Sequence, residues 1–196
     1  MGDLIFRIMN IKITNQMKKI IFLAVFCIIS FANAQAQYDS YLRISGDMGS
    51  IVNSQRDKKF GMGGNISWLT ADNLLSLNNN NFITLGVKAH NNPYGDGKFI
   101  SSMMNEKDDA FNYLLPFVGY RITQKGVENG FFVEPRIGVA IGPSYSAFAI
   151  APLAGYAYNA FDFSIYCDMG FGNDEGPIGK KQFYNIGFSI AYNIKL

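Results

Sequence analysis

The chain has 196 residues, of which 48% are hydrophobic, 15% aromatic and only 16% charged. This length suits one domain, and the charged fraction is well below the roughly 25% of an average soluble domain. The formal net charge of +2 gives no strongly basic balance, so the composition does not indicate a nucleic-acid partner.

The N-terminal region predicts an export signal. The segment from Met17 contains two lysines, an apolar run over 20–31 and a small-residue end near Ala34 and Ala36. This is the layout of a cleavable secretory signal peptide, and the apolar run is too short for a transmembrane helix, which needs about 20 residues. We therefore predict a signal peptide at 17–36, cleaved after Ala34 or Ala36. An uncleaved amphipathic helix is the alternative.

Two further predictions depend on this signal. Residues 1–16 are interpreted as an upstream extension, so that either Met1 or Met17 is the start of the protein. Cleavage removes Cys27 and leaves Cys167 as the only cysteine of the mature chain. We therefore predict no disulfide within one chain and no cysteine-based metal site.

The remaining sequence, over 38–196, shows repeated alternation of apolar residues with polar or small ones. This period of two is typical of β-strands with two different faces. The eight alternating segments are 42–48, 62–68, 83–90, 111–122, 131–141, 147–158, 161–169 and 184–196.

The last segment is the most informative. It alternates over about 13 residues, whereas strands of soluble proteins are typically about 5–6 residues long. Transmembrane strands need about 9–11 residues. We predict an all-β fold, an eight-stranded antiparallel up-and-down transmembrane β-barrel over 38–196. The alternative is a soluble lipocalin-like barrel, with its apolar face inside.

The connections between segments support this topology. The longest, 91–110, and the shortest, 159–160, fall at opposite ends of the predicted barrel, as expected of long outer loops and short inner turns. The other outer connections are 49–59, 142–146 and 173–182. The inner connection 71–81 is longer than this pattern predicts.

The polar face carries charged residues that would point into the lumen. We predict a network of mutually paired charges, because isolated buried charge is costly and paired charge is tolerable. A narrow ion path is the alternative. The residues are Arg43, Asp47, Lys88, Arg121, Glu134, Arg136, Asp162 and Asp168.

On the apolar face, aromatic residues recur near the inner ends of the segments. We predict that Trp68, Tyr120, Tyr156 and Tyr192 form a girdle at the inner membrane interface, where amphipathic aromatic side chains prefer to lie. Core aromatics of a soluble barrel are the alternative. Three prolines, Pro116, Pro135 and Pro152, are interpreted as β-bulges.

These features, together with the segments PFVGYR (116–121) and PLAGYA (152–157), resemble the small eight-stranded outer-membrane β-barrel family of Gram-negative bacteria. The OmpA transmembrane domain and OmpX are familiar members. The resemblance covers about 38–196 and implies an outer-membrane location. The final strand resembles the sorting signal read by the barrel-assembly machinery, although it ends in Leu196 rather than in an aromatic residue.

The only histidine, His90, raises the possibility of an enzyme. Outer-membrane lipid A deacylases resemble this architecture and use a His–Ser pair, but no serine follows two residues after His90. We predict no catalytic residues, no cofactor and no metal.

We therefore expect a non-enzymatic, monomeric outer-membrane protein with a structural or surface-interaction role through its outer loops. Its predicted partners are outer-membrane lipid and lipopolysaccharide, whose phosphates Lys58, Lys59, Lys180 and Lys181 could bind. A narrow porin-like channel and a lipid A-modifying enzyme are the alternatives.

Overall fold

The structure is a computed structural model. It describes residues 39–54, 60–72, 81–93, 110–142, 145–173 and 179–196. The predicted extension, signal peptide and cleavage site lie outside the described residues. So do Lys58, Lys59 and most of the longest connection.

The described residues form an all-β protein in which every pairing is antiparallel. Within the described residues, no helix is long and apolar enough to cross a membrane. The strands are β1 (Ser40–Ile51), β2 (Gly61–Ala71), β3 (Phe82–Pro93), β4 (Ala110–Thr123), β5 (Asn129–Glu134), β6 (Arg136–Ile141), β7 (Ser146–Ile150), β8 (Leu153–Tyr158), β9 (Phe161–Gly172) and β10 (Gln182–Lys195).

The strands close into a ring, because β10 pairs with both β1 and β9. Strands β5 and β6 are two parts of one long strand separated by Pro135. Strands β7 and β8 are likewise separated by Ala151 and Pro152. The ring therefore has eight long strands in up-and-down order, and the predicted all-β, antiparallel, eight-stranded class is confirmed.

The interpretation of the prolines as bulges is wrong. A bulge adds one residue to one strand only. On either side of Pro135, however, Ile122 pairs with Val133 and Gly119 with Arg136, so both strands advance by the same number of residues. The proline interrupts the ladder without shifting its register, because it lacks only the N–H donor.

The register pairs also fix how the strands tilt. The path of paired residues around the ring begins at Tyr41 and runs through Leu69, Thr84, Gly119, Arg136, Ala151, Asp168 and Asn185 to Ile51. It returns to β1 ten residues beyond its start, from 41 to 51. A stagger of about 33 Å across eight strands spaced about 4.8 Å apart gives a tilt of about 41°.

Two apolar clusters lie at the two ends of the interior. The turn end of the ring is the end that carries the Asn159–Ala160 turn, and its cluster is Tyr41, Leu69, Phe82 and Val127. The loop end is the opposite one, and its cluster includes Ile51, Phe111, Tyr145 and Phe183. The charged residues occupy the layers between these clusters.

Candidate functional site: a charge network inside the ring

All eight charged residues of the predicted network are buried inside the ring. Each is at most 5% exposed. Period-two alternation explains this placement, because inward positions on a strand are two residues apart, as Asp162 and Ser164 or Glu134 and Arg136 are. The structure brings the eight residues together in two layers.

The layer nearer the turn end is built on Arg43 and Glu134. The Arg43 Nη1 and Nη2 atoms donate to the two carboxylate oxygens of Glu134 at 2.7 and 2.8 Å, and Arg43 Nε donates to Ser67 Oγ at 3.0 Å. Strands β1 and β5 lie on opposite sides of the ring. This bidentate pair therefore spans the interior from wall to wall.

Two more arginines complete this layer. Arg121 forms a second bidentate pair with Asp162, at 2.5 and 2.9 Å, and Arg136 Nε donates to Glu134 at 2.8 Å. The guanidinium of Arg121 also stacks 3.8 Å from the centroid of the Phe132 ring. Planar guanidinium groups suit such combined bidentate and stacking contacts.

The layer nearer the loop end is built on Lys88. Its Nζ lies 2.7 Å from Asp168 Oδ2 and 3.4 Å from Asp47 Oδ2, and it sits 3.2 Å from the centroid of the Tyr166 ring. Strands β3 and β9 also face each other across the ring. A second ion pair therefore crosses the interior, closer to the loop end.

Sequence reasoning missed two polar partners of this layer. Tyr113 donates to Asp168 Oδ2 at 2.5 Å and accepts from Asn185 Nδ2 at 2.7 Å. Tyr113 has the same parity along β4 as Arg121, so its inward direction was readable from the sequence. Its partners on β9 and β10 depend on distant pairings that the alternation does not specify.

The two layers balance each other electrically. The turn-end layer has three arginines and two carboxylates, and the loop-end layer has one lysine and two carboxylates. The excess positive charge of the first matches the excess negative charge of the second. Buried charges are tolerated in proteins when they are paired and hydrogen-bonded in this way.

His90 lies inside the ring. Strand β3 continues to Pro93, beyond the predicted end of this strand at residue 90, and the histidine is only 3% exposed. Its ring stacks on Tyr113 at 5.7 Å and meets the edge of Tyr166 at 6.2 Å. Within the described residues, no group of histidine, cysteine and acidic side chains could hold a metal ion.

Tyr145 links the loop-end cluster to the rim. It lies just before β7 and donates its hydroxyl to the carbonyl oxygen of Lys181 at 3.1 Å. Its ring meets Phe111 and Phe183 at centroid distances of 5.8 and 6.1 Å. Burial raises the pKa of the Tyr145 phenol, and its ring adds apolar surface to the loop-end cluster.

The predicted aromatic residues all lie on the outside of the ring. Tyr156 and Tyr192 are 42% and 46% exposed, and Trp68 and Tyr120 are half-buried. At a tilt of about 41°, each residue along a strand rises about 2.5 Å and each step to the next strand about 3 Å. The four side chains then start within about 4 Å of one height, close to the turn end.

A second aromatic level lies near the loop end. It consists of Phe60, Phe148, Phe171 and Tyr184, which are exposed or half-buried on the outer surface. By the same geometry they lie within about 3 Å of one height, about 20 Å above the first level. Sequence reasoning did not identify this level, and the stagger of the ring shows that its members share one height.

No family model, curated protein or solved structure matches the chain. The geometry of the ring therefore carries the functional argument. Its two elements are a paired charge network inside and an apolar surface bounded by two aromatic levels outside.

Proposed function

We propose that this chain is an integral outer-membrane β-barrel with a non-enzymatic, structural or surface-interaction role. The observation that carries the proposal is the outer surface, an apolar band between two aromatic levels around a charged interior. Transmembrane barrels have such a band, about 25 Å tall and flanked by aromatic girdles.

The apolar outer face of one strand, including both aromatic levels, is tall enough for a membrane. The outward positions of β9 run from Phe161 to Phe171 and are all apolar. The ten steps from Phe161 to Phe171, tilted by about 41°, cover a height of about 25 Å. Closure of the ring also leaves no open sheet edge among the described strands, and hydrocarbon would not tolerate such an edge.

Water would be a poor solvent for this surface. Large apolar side chains on every long strand are more than a third exposed, among them Phe188 at 69% and Ile165 at 58%. Soluble monomers rarely expose continuous apolar patches above a few hundred Å². The distribution is the opposite of that expected for a lipocalin-like barrel.

The interior argues against the alternative functions. Arg43 and Glu134 meet across the ring, and so do Lys88 and Asp168, between apolar clusters at both ends. Such a filled interior does not favour a channel. A lipid-modifying enzyme would need His90 within reach of lipid, but the ring buries it.

The proposed role concerns the connections at the loop end. Connections between the elements of a stable scaffold commonly carry its contacts. We propose that they bind lipopolysaccharide or another surface partner, that β10 is read by the barrel-assembly machinery, and that the protein is a monomer. The predicted signal peptide supports export.

Fractionation of a Gram-negative host tests the proposal. We expect the protein in the membrane fraction after alkaline carbonate washing, and in solution only after detergent is added. A variant lacking residues 17–36 is the control and should remain in the cytoplasm. Recovery of the full-length protein from the soluble periplasmic fraction without detergent would overturn the proposal.

A further inference from the structure

The outer wall of the ring carries an apolar groove near the turn end. It has a volume of about 650 Å³ and extends from β5 across β8 and β9 to β10. Ala154 lies at its floor between larger neighbours. The side chains around it include Phe131, Val133, Tyr156, Phe163, Phe188 and Ile190.

The backbone register places a small residue at the centre of this groove. Ala154 pairs with Val133 on one side and Ile165 on the other, so a small outward side chain separates two large ones. The next residue, Gly155, is placed so that a Cβ atom there would collide with the carbonyl oxygen of Phe163. The floor is therefore part of a closely packed ladder, and the exposed side chains around it form the walls of the groove.

The height of the groove matches one leaflet of a membrane. Its lining rises from the level of Phe131 to that of Phe188, a height of about 14 Å at the tilt derived above. This is about half of a hydrocarbon core of about 30 Å. Phe131 and Tyr156 form an edge-to-face pair at 5.0 Å at its lower end, at the aromatic level where headgroups begin.

We propose that this groove binds one acyl chain of a phospholipid in the leaflet at the turn end. The inference rests on the proposed membrane location. The lining side chains are uncharged, so they would bind the chain rather than the headgroup. A second copy of the protein fits less well, because an area about 14 Å by 14 Å, roughly 200 Å², is far below the roughly 800 Å² per partner of a stable interface.

Native mass spectrometry of the folded protein in detergent tests the proposal, with dipalmitoyl phosphatidylethanolamine as the probe. We expect one tightly retained lipid. The variant Ala154→Phe fills the groove and should weaken the first binding event about tenfold or more, because the chain methylenes lose their apolar contacts. Ala89→Phe makes the same change on the outer face of β3, away from the groove, and should bind as the wild type does.

The length of the lipid's acyl chains provides a second test, which needs no protein variant. The dihexanoyl lipid has the same headgroup, and we expect it to bind much more weakly, whereas dipalmitoyl phosphatidylglycerol should bind as well as the ethanolamine lipid. If Ala154→Phe does not fold, Ala154→Leu and Ala89→Leu replace the pair.

Equal retention by the Ala154 and Ala89 variants would overturn the acyl-chain proposal, and so would preference for a headgroup. Either result in a protein that fractionates with the membrane leaves the proposed function intact. A protein found soluble in the periplasm instead refutes both.

Discussion

Lys88 is a single residue on which the charge balance of the loop-end layer depends. Among the described residues it is the only cation in its layer, and it contacts both Asp47 and Asp168. Replacing it by methionine keeps most of the volume but leaves two buried carboxylates without a cation. Breaking a buried pair in this way typically costs about 3–5 kcal/mol.

We therefore expect Lys88→Met to lower the free energy of unfolding by about 3–5 kcal/mol, measured by urea denaturation in lipid vesicles. Adding Asp168→Asn should recover part of the loss, because it removes one of the two stranded charges. Lys195→Met is the control. It removes an ion pair with Asp39 whose partners are both more than 60% exposed, and should leave stability unchanged. Equal effects of the Lys88 and Lys195 variants would contradict the network.

Phe188 and Tyr192 are two positions at which the proposed membrane depth of the outer surface can be tested. Both are exposed on β10, at 69% and 46%. Phe188 lies about midway between the two aromatic levels, whereas Tyr192 lies in the turn-end level. Phe188→Arg should cost about 2–4 kcal/mol of unfolding free energy, and Tyr192→Arg about 0–1 kcal/mol, because the cost of a charge depends on depth.

The same pair of variants separates a membrane protein from a soluble one. On a water-exposed surface, each substitution would change stability by about 0.5 kcal/mol or less. Equal costs at the two positions, measured by urea denaturation in the same lipid, would contradict the assigned depths.

Among the connections between strands, the turn from β8 to β9 depends on the conformation of Asn159. Tyr158 pairs with Phe161, so Asn159 and Ala160 alone connect β8 to β9. Asn159 has a φ of 53°, a left-handed conformation that asparagine tolerates and β-branched residues do not. Asn159→Val should therefore destabilise the protein by about 1–2 kcal/mol in urea denaturation.

Two variants serve as controls for this turn. Asn159→Gly should cost little, because glycine adopts positive φ without steric penalty. Ala160→Val should cost less than Asn159→Val, because Ala160 does not have positive φ. A valine at 159 that is as stable as glycine would show that this conformation does not constrain the turn.

Alternation predicted the elements well and their interruptions poorly. Inward and outward faces follow from period two, so the direction of a residue such as Arg43 or Ile186 was readable from its neighbours. Pro135 was also visible, but the sequence could not distinguish a bulge from an interruption in register. That distinction depends on the number of residues in the partner strand, which is a property of the pairing.

The stagger of the ring is a property of the whole molecule that cannot be read from any single strand. It determines which residues share a height, and therefore both aromatic levels and the layers of the charge network. Local patterns gave four members of one level and the eight charged residues of the two layers. The second level, and the pairing of Arg43 with Glu134 across the interior, emerge only when the ring closes.

Closure of the ring also predicts that the protein does not conduct ions. Eight strands leave an interior just wide enough for side chains to fill, and here opposite walls meet in two charged layers between two apolar clusters. We expect no steady conductance when the purified protein is incorporated into a planar lipid bilayer.

Phe183→Ala weakens the loop-end cluster, where Phe183 contacts Phe111 and Tyr113 at ring distances of 5.0 Å. It should still give no steady current, because both charged layers remain below it. Stable currents from the wild type would contradict the filled interior. Currents from Phe183→Ala alone would instead show that the loop-end cluster is the only barrier to ions.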